Sequence, residues 1–98
     1  MTKTTIIHDD NPDRCYICGR WKRYGEHYDT HHIFGGSCRK KSDKLGFVVT
    51  LCRDCHKLIH SKDGVDLKDM LHQRGQMIYE EQIGSREDFI RDFIRSYL

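Results

Sequence analysis

Cysteines and histidines carry most of the chemistry open to this 98-residue chain. Cys15-Tyr16-Ile17-Cys18 and Cys52-Arg53-Asp54-Cys55 are two C-x-x-C knuckles. The two-residue spacing lets one turn present both sulfurs to one ion. Two knuckles together offer four thiolates, the tetrahedral set that zinc takes in structural sites. Reducible disulfides or buried free thiols are the plainer alternatives. No βαβ pattern surrounds either pair, as a redox C-x-x-C would require. Cys38 stands alone and reads as an incidental free thiol.

The histidines divide into two groups. His8, His27 and His72 lie in no motif and are expected as surface or partly buried residues rather than ligands. His56 and His60, four residues apart, share one face of a helix and can grip one ion. His31, arriving from a strand, would complete a set of three. Three protein ligands with open positions mark a catalytic rather than a structural metal. His32 follows His31 directly, so in a strand its ring points to the opposite face. An imidazole with an ordinary pKa of about 6.5 suits a general base near neutral pH. In phosphodiester hydrolysis, a metal on one side would stabilise developing charge while His32 activates water on the other.

These residues need elements to hold them. Glu26 to Ile33 alternates weakly and reads as a short strand. Phe34 to Lys44 reads as a basic loop opened by Gly35 and Gly36, glycines that let the chain pass close to a substrate backbone. Phe47 to Leu51 is a β-branched run and a second strand, completing a β-hairpin or a looser version of one. A helix through His56 to His60 closes at Ser61–Gly64. Val65 to Ile83 has helical spacing, weakened at Gly75. Ser85, with Asp88 in the box position, caps a last helix. Its two apolar rows, Phe89/Phe93/Tyr97 and Ile90/Ile94/Leu98, form its packing face. The fold class expected is α+β: a small ββα core stapled by the four cysteines, with C-terminal helices. Residues 1–14 form an irregular segment, 15–61 the core and 62–98 a helical extension packed on it.

The net charge is +2, but residues 14–57 hold ten Lys/Arg against four Asp/Glu. The segments on either side are each −2. The positive charge thus coincides with the Cys and His residues, as a phosphate-binding region requires. Arg39, Lys40, Lys41 and Lys44 would overhang the hairpin. Arg39 is the leading choice for a phosphate contact or for stabilising transition-state charge. Arg20 to Tyr24 mixes cations with aromatics and could grip nucleic acid or belong to a small core. No apolar run approaches the roughly 20 residues of a membrane span. The first 13 residues lack the apolar core of a signal peptide, so a cytoplasmic protein is expected.

Residues 15–60, with EHYDTHHIFGG, a strand and then LCRDCHKLIH, resemble the HNH endonucleases of the ββα-metal group, in particular the small HNH proteins of phages and prophages. The His pair with a later H-x-x-x-H is also similar to the metal site of colicin-type nuclease domains. The resemblance implies a metal-dependent endonuclease that nicks or cuts DNA. His31, His56 and His60 would ligate a divalent ion (Mg²⁺, Mn²⁺, Zn²⁺ or Ni²⁺), and His32 would activate water. Cys15, Cys18, Cys52 and Cys55 would hold a structural Zn²⁺. If it holds, a phage packaging complex is a partner to consider. One letter differs: no Asn lies between His32 and Cys52. Phe47 stands where many members have Asn, and Ser42 or Asp43 are the substitutes within reach. A zinc-stabilised nucleic-acid or protein-binding module, catalytically weak or inactive on the same scaffold, is the alternative function.

Overall fold

Two four-residue strands, cut from the alternating and β-branched runs of the sequence, form the centre. The computed structural model describes residues 5–98, and Met1 to Thr4 of the expected irregular segment lie outside them. Strand β1 (Asp29–His32) pairs antiparallel with β2 (Val48–Leu51), with His31 opposite Val49 and His32 opposite Val48. Helices α1 (Arg39–Leu45), α2 (Arg53–Ile59), α3 (Val65–Gln82) and α4 (Arg86–Phe93) complete an α+β architecture. Residues 5–16 run along the open edge of β2. Thr5 Oγ1 donates to the Val48 carbonyl (2.6 Å), Tyr16 N–H to that of Thr50 (2.8 Å), and Asp10 accepts from Thr50 N–H (2.8 Å). A covered edge cannot template pairing with another chain. Burial, partly offset by the Thr50 bonds, raises the Asp10 pKa.

The expected loop at Phe34–Lys44 is corrected by the structure. A 3-10 turn (Gly36–Cys38) leads into α1, which ends at Gly46 in the left-handed conformation (φ 84°). Gly36 is also left-handed (φ 58°), with open space around it. The segment RKKSDKL carries good helix formers but no apolar stripe, so periodicity could not reveal it. One anchor of α1 is a buried hydroxyl. Ser42 Oγ accepts from Phe34 N–H (3.2 Å) and donates to the Phe47 carbonyl (2.7 Å), bolting α1 across the ends of both strands. The strands are therefore joined by a helix rather than by a tight turn.

Gly75 does not weaken α3, which is continuous from Val65 to Gln82. A Cβ at Gly75 would meet Phe34 Cζ at 2.9 Å, so the glycine gives that ring its seat. Phe34 is the hub of the core. Its ring lies 4.4 Å from Phe93, 5.3 Å from Phe89 and 5.5 Å from Phe47, and stacks on His72. The Ser85–Asp88 capping box is present, with both reciprocal bonds made. Phe89 and Phe93 are buried and Tyr97 packs against them.

The second apolar row is a correction. Ile90, on the outer side of α4, is exposed (39 %), and Ile94 and Leu98 (68 and 48 %) lie beyond its end at Phe93, where Ile94 turns to positive φ. The tail instead folds back on Gln76, whose Oε1 accepts from Tyr97 N–H at 2.6 Å. Among the described residues, no helix is long and apolar enough to cross a membrane.

Candidate metal centres

The first centre grows from the two knuckles. Cys15 and Cys18 lie in a tight turn closed by Gly19 N–H on the Cys15 carbonyl (3.0 Å). Cys52 directly follows β2 and caps α2, its sulfur accepting from Cys55 N–H (3.5 Å). The four sulfurs all lie within 4.8 Å of one another, with Cys18 and Cys52 3.9 Å apart. With Zn–S of about 2.3 Å, a tetrahedral site has sulfur–sulfur edges of about 3.8 Å. The donor set and its spacing both fit zinc. None of the five cysteines forms a disulfide, and Cys38 lies apart from the cluster. Burial pushes the Cys15 thiol up, but N–H groups of Cys18, Cys52 and Ile17 outweigh it and bring it down to about 7. Burial and neighbouring sulfurs raise Cys55.

The second centre joins β1 to α2. His31, His56 and His60 bring one ring nitrogen each within 4.8 Å of the others. His31 is buried at the base, edge-on to both partners with centroids 5.4 Å away. Burial, followed by the charges of His56 and His60, lowers its pKa to about 3. It is therefore a neutral, ligand-ready imidazole at any ordinary pH. His60, directly after α2, is lowered too, by burial and then His56 and Lys68. His56 Nε2 and His60 Nε2 are 3.3 Å apart. A tetrahedral ion with metal–nitrogen bonds of about 2.05 Å needs edges of about 3.3 Å. Three imidazoles suit Zn²⁺ or Ni²⁺ better than Mg²⁺, which prefers oxygen.

Asp29 is the member that sequence reasoning missed. Its Oδ2 lies 3.0 Å from His56 Nδ1. An ionised carboxylate only accepts, so His56 Nδ1–H donates to it and Nε2 keeps its lone pair for a metal. The signal was available: Asp29 stands two residues before His31, hence on the same face of β1. A groove of about 490 Å³ lined by Asp29, Arg53, His56, Lys57 and His60 opens this centre to solvent.

His32 alternates to the other face of β1, where its Nε2 lies 2.9 Å from Asp43 Oδ1 on α1. The same logic puts the proton on Nε2 and leaves Nδ1 as the basic nitrogen. Phe47, where the resemblance would place Asn, is wholly buried in the aromatic core. Of the two residues named as substitutes, Ser42 bonds the backbone of Phe34 and Phe47, and Asp43 bonds the His32 ring.

Arg39 opens α1 and is exposed, but it does not line the histidine groove. Arg20 and Lys22 are paired with Glu26 (2.9 Å) and Asp13 (3.3 Å). Trp21 is more than half exposed with Arg14 over its ring, and Tyr24 is fully exposed, so neither belongs to a core. His8 and His27 are apart from both centres, and His72 is part of the aromatic cluster. No family model, curated protein or solved structure matches the chain.

Proposed function

We propose that the protein is a metal-dependent endonuclease that hydrolyses phosphodiester bonds of DNA, built on an HNH-type ββα arrangement. The observation that carries this reading is the division of labour between neighbours in β1. His31 turns inward to His56 and His60, while His32 turns outward to Asp43. His31, His56 and His60 would hold a divalent ion, which would supply Lewis-acid stabilisation of charge on a phosphate oxygen. The chain's own residues do the rest. Asp29 sets the His56 tautomer, burial keeps His31 neutral, and Asp43 fixes the His32 ring with Nδ1 free to take a proton from water. The imidazolium formed on His32 is then stabilised by the Asp43 carboxylate. The cysteine cluster, with structural zinc, holds the start of α2 and hence His56 and His60 in register with β1.

The test is plasmid nicking with and without chelator, beside His32→Ala. Nicking that requires a divalent ion and falls about 10²–10⁴-fold in the variant is expected. Undiminished cleavage by His32→Ala would remove His32 from its role, and no cleavage with any divalent ion would remove the enzyme reading. The second reading is a zinc-stabilised binding module without activity. It is favoured by Phe47 filling the asparagine position with core, and it requires one tightly held zinc with no second metal.

A further inference from the structure

Helix α2 carries more than ligands on the face it turns to the groove. Arg53, His56, Lys57 and His60 follow the i, i+3, i+4, i+7 pattern of a single helical face. All four line the groove beside Asp29. Arg53 and Lys57 are exposed, and neither forms an ion pair with a described residue. Two unneutralised cations beside a metal centre are unfavourable for that metal, because like charges repel. Asp29 is the single carboxylate lining the groove. With a divalent ion present, the lining would sum to +3: Arg53, Lys57 and the ion against Asp29. Such a groove is complete only with an anion of several charges in it.

We infer that Arg53 and Lys57 are the phosphate-gripping residues of this groove, holding the nucleic-acid backbone on either side of the bond to be cut. The inference rests on the endonuclease reading and moves the phosphate contact from Arg39 to α2. Arg53 also lines the adjoining hollow with Arg20 and Tyr28. It therefore stands at the join of two concave surfaces, the second also lined by Glu26 and Asp54. The spacing suits this role: side chains four apart on a helix begin about 5–6 Å from each other, so the two cations can hold different phosphates.

The experiment measures binding of a duplex oligonucleotide across a salt series in the zinc-loaded His32→Ala background, so that no substrate is consumed. Arg53→Gln/Lys57→Gln should weaken binding at least about tenfold. It should also lower the slope of log affinity against log salt by about 2, close to one ion per lost phosphate contact. Equilibrium dialysis with Zn²⁺ should show the histidine centre binding metal as tightly as before or more tightly. An unchanged affinity and slope, or a loss appearing in Arg39→Gln instead, overturns the inference and leaves the endonuclease reading standing. Parallel loss of metal overturns it too, by making the pair part of the metal site. Failure of the His32→Ala parent to bind nucleic acid overturns both.

Discussion

Asp43 Oδ1 lies 2.9 Å from His32 Nε2, joining α1 to the outward face of β1. The carboxylate fixes which ring nitrogen is basic. Under the proposed function, Asp43→Ala should slow nicking about 10–100-fold with DNA affinity unchanged, comparable to loss of an orienting partner elsewhere. Asp43→Asn keeps an acceptor but not the charge and should fall between. Rates equal to wild type in Asp43→Ala would show that His32 needs no orienting group.

Asp29 does the corresponding work for His56. Asp29→Ala should weaken metal binding at the histidine centre about 10–100-fold. Asp29→Asn, whose carbonyl oxygen can still accept from Nδ1–H, should lose less. Titration with Ni²⁺ or Zn²⁺ into protein whose cysteine centre is already filled reads this directly. Equal affinity in all three proteins would exclude Asp29 as a positioning residue.

The cysteine cluster ties the knuckle at residues 15–18 to the junction of β2 and α2. Metal binding at such a site contributes directly to folding free energy. Cys52→Ser should lose about one equivalent of zinc and at least about 3 kcal/mol of stability, a drop in Tm of roughly 15 °C for a domain this size. Strong chelators should do the same to the wild type. A melting curve indifferent to chelation would refute a structural metal.

Two glycines should respond unequally to alanine. At Gly64 a Cβ would overlap the Leu58 carbonyl oxygen and lie 2.6 Å from Ile59 Cα, both backbone. Gly64→Ala should cost about 2–3 kcal/mol, since the end of α2 must shift to admit it. At Gly75 the obstacle is the edge of the Phe34 ring, and alanine gains up to about 1 kcal/mol of helix propensity. Gly75→Ala should therefore cost clearly less in chemical denaturation.

His72 makes stability fall in acid. Burial, against a bond to the Ile33 backbone, lowers its folded pKa below the ordinary 6.5. Its Nδ1 is buried without a hydrogen-bond partner. The unfolded chain thus binds the proton more readily. The stabilising contribution is complete above about pH 6.5 and is lost as pH falls from there towards the folded value. The denaturation midpoint should drop between pH 7 and pH 5, and drop less in His72→Phe, which keeps the stack on Phe34 and Tyr97. Identical pH dependence in the two proteins would refute the assignment.

Much of the local structure was written in spacing. The β-branched run at 47–51, the capping box at Ser85 and Asp88, and the helical periodicity of 65–83 depend on neighbours in sequence, and each formed its element to within one residue at an end. The C-x-x-C pairs and the His56–His60 interval likewise need only one turn of chain to bring donors together. That His31 and His32 face opposite ways follows from the two-residue period of a strand.

Everything that required distant residues to meet was decided by the tertiary structure. Helix α1 has no apolar stripe and is fixed by contacts with distant residues, Ser42 between backbone groups of Phe34 and Phe47 and Asp43 on His32. Gly75 reads as a helix weakness until Phe34 is seen to occupy the space a side chain would take. Ile90 and Ile94 share the periodicity of Phe89 and Phe93, yet only the phenylalanines reach the aromatic cluster. The residue types and intervals set by the sequence determined which atoms could bind metal or move a proton. Folding decided which carboxylate faces each imidazole, because a hydrogen bond across 11 or 27 residues exists only once β1, α1 and α2 have packed.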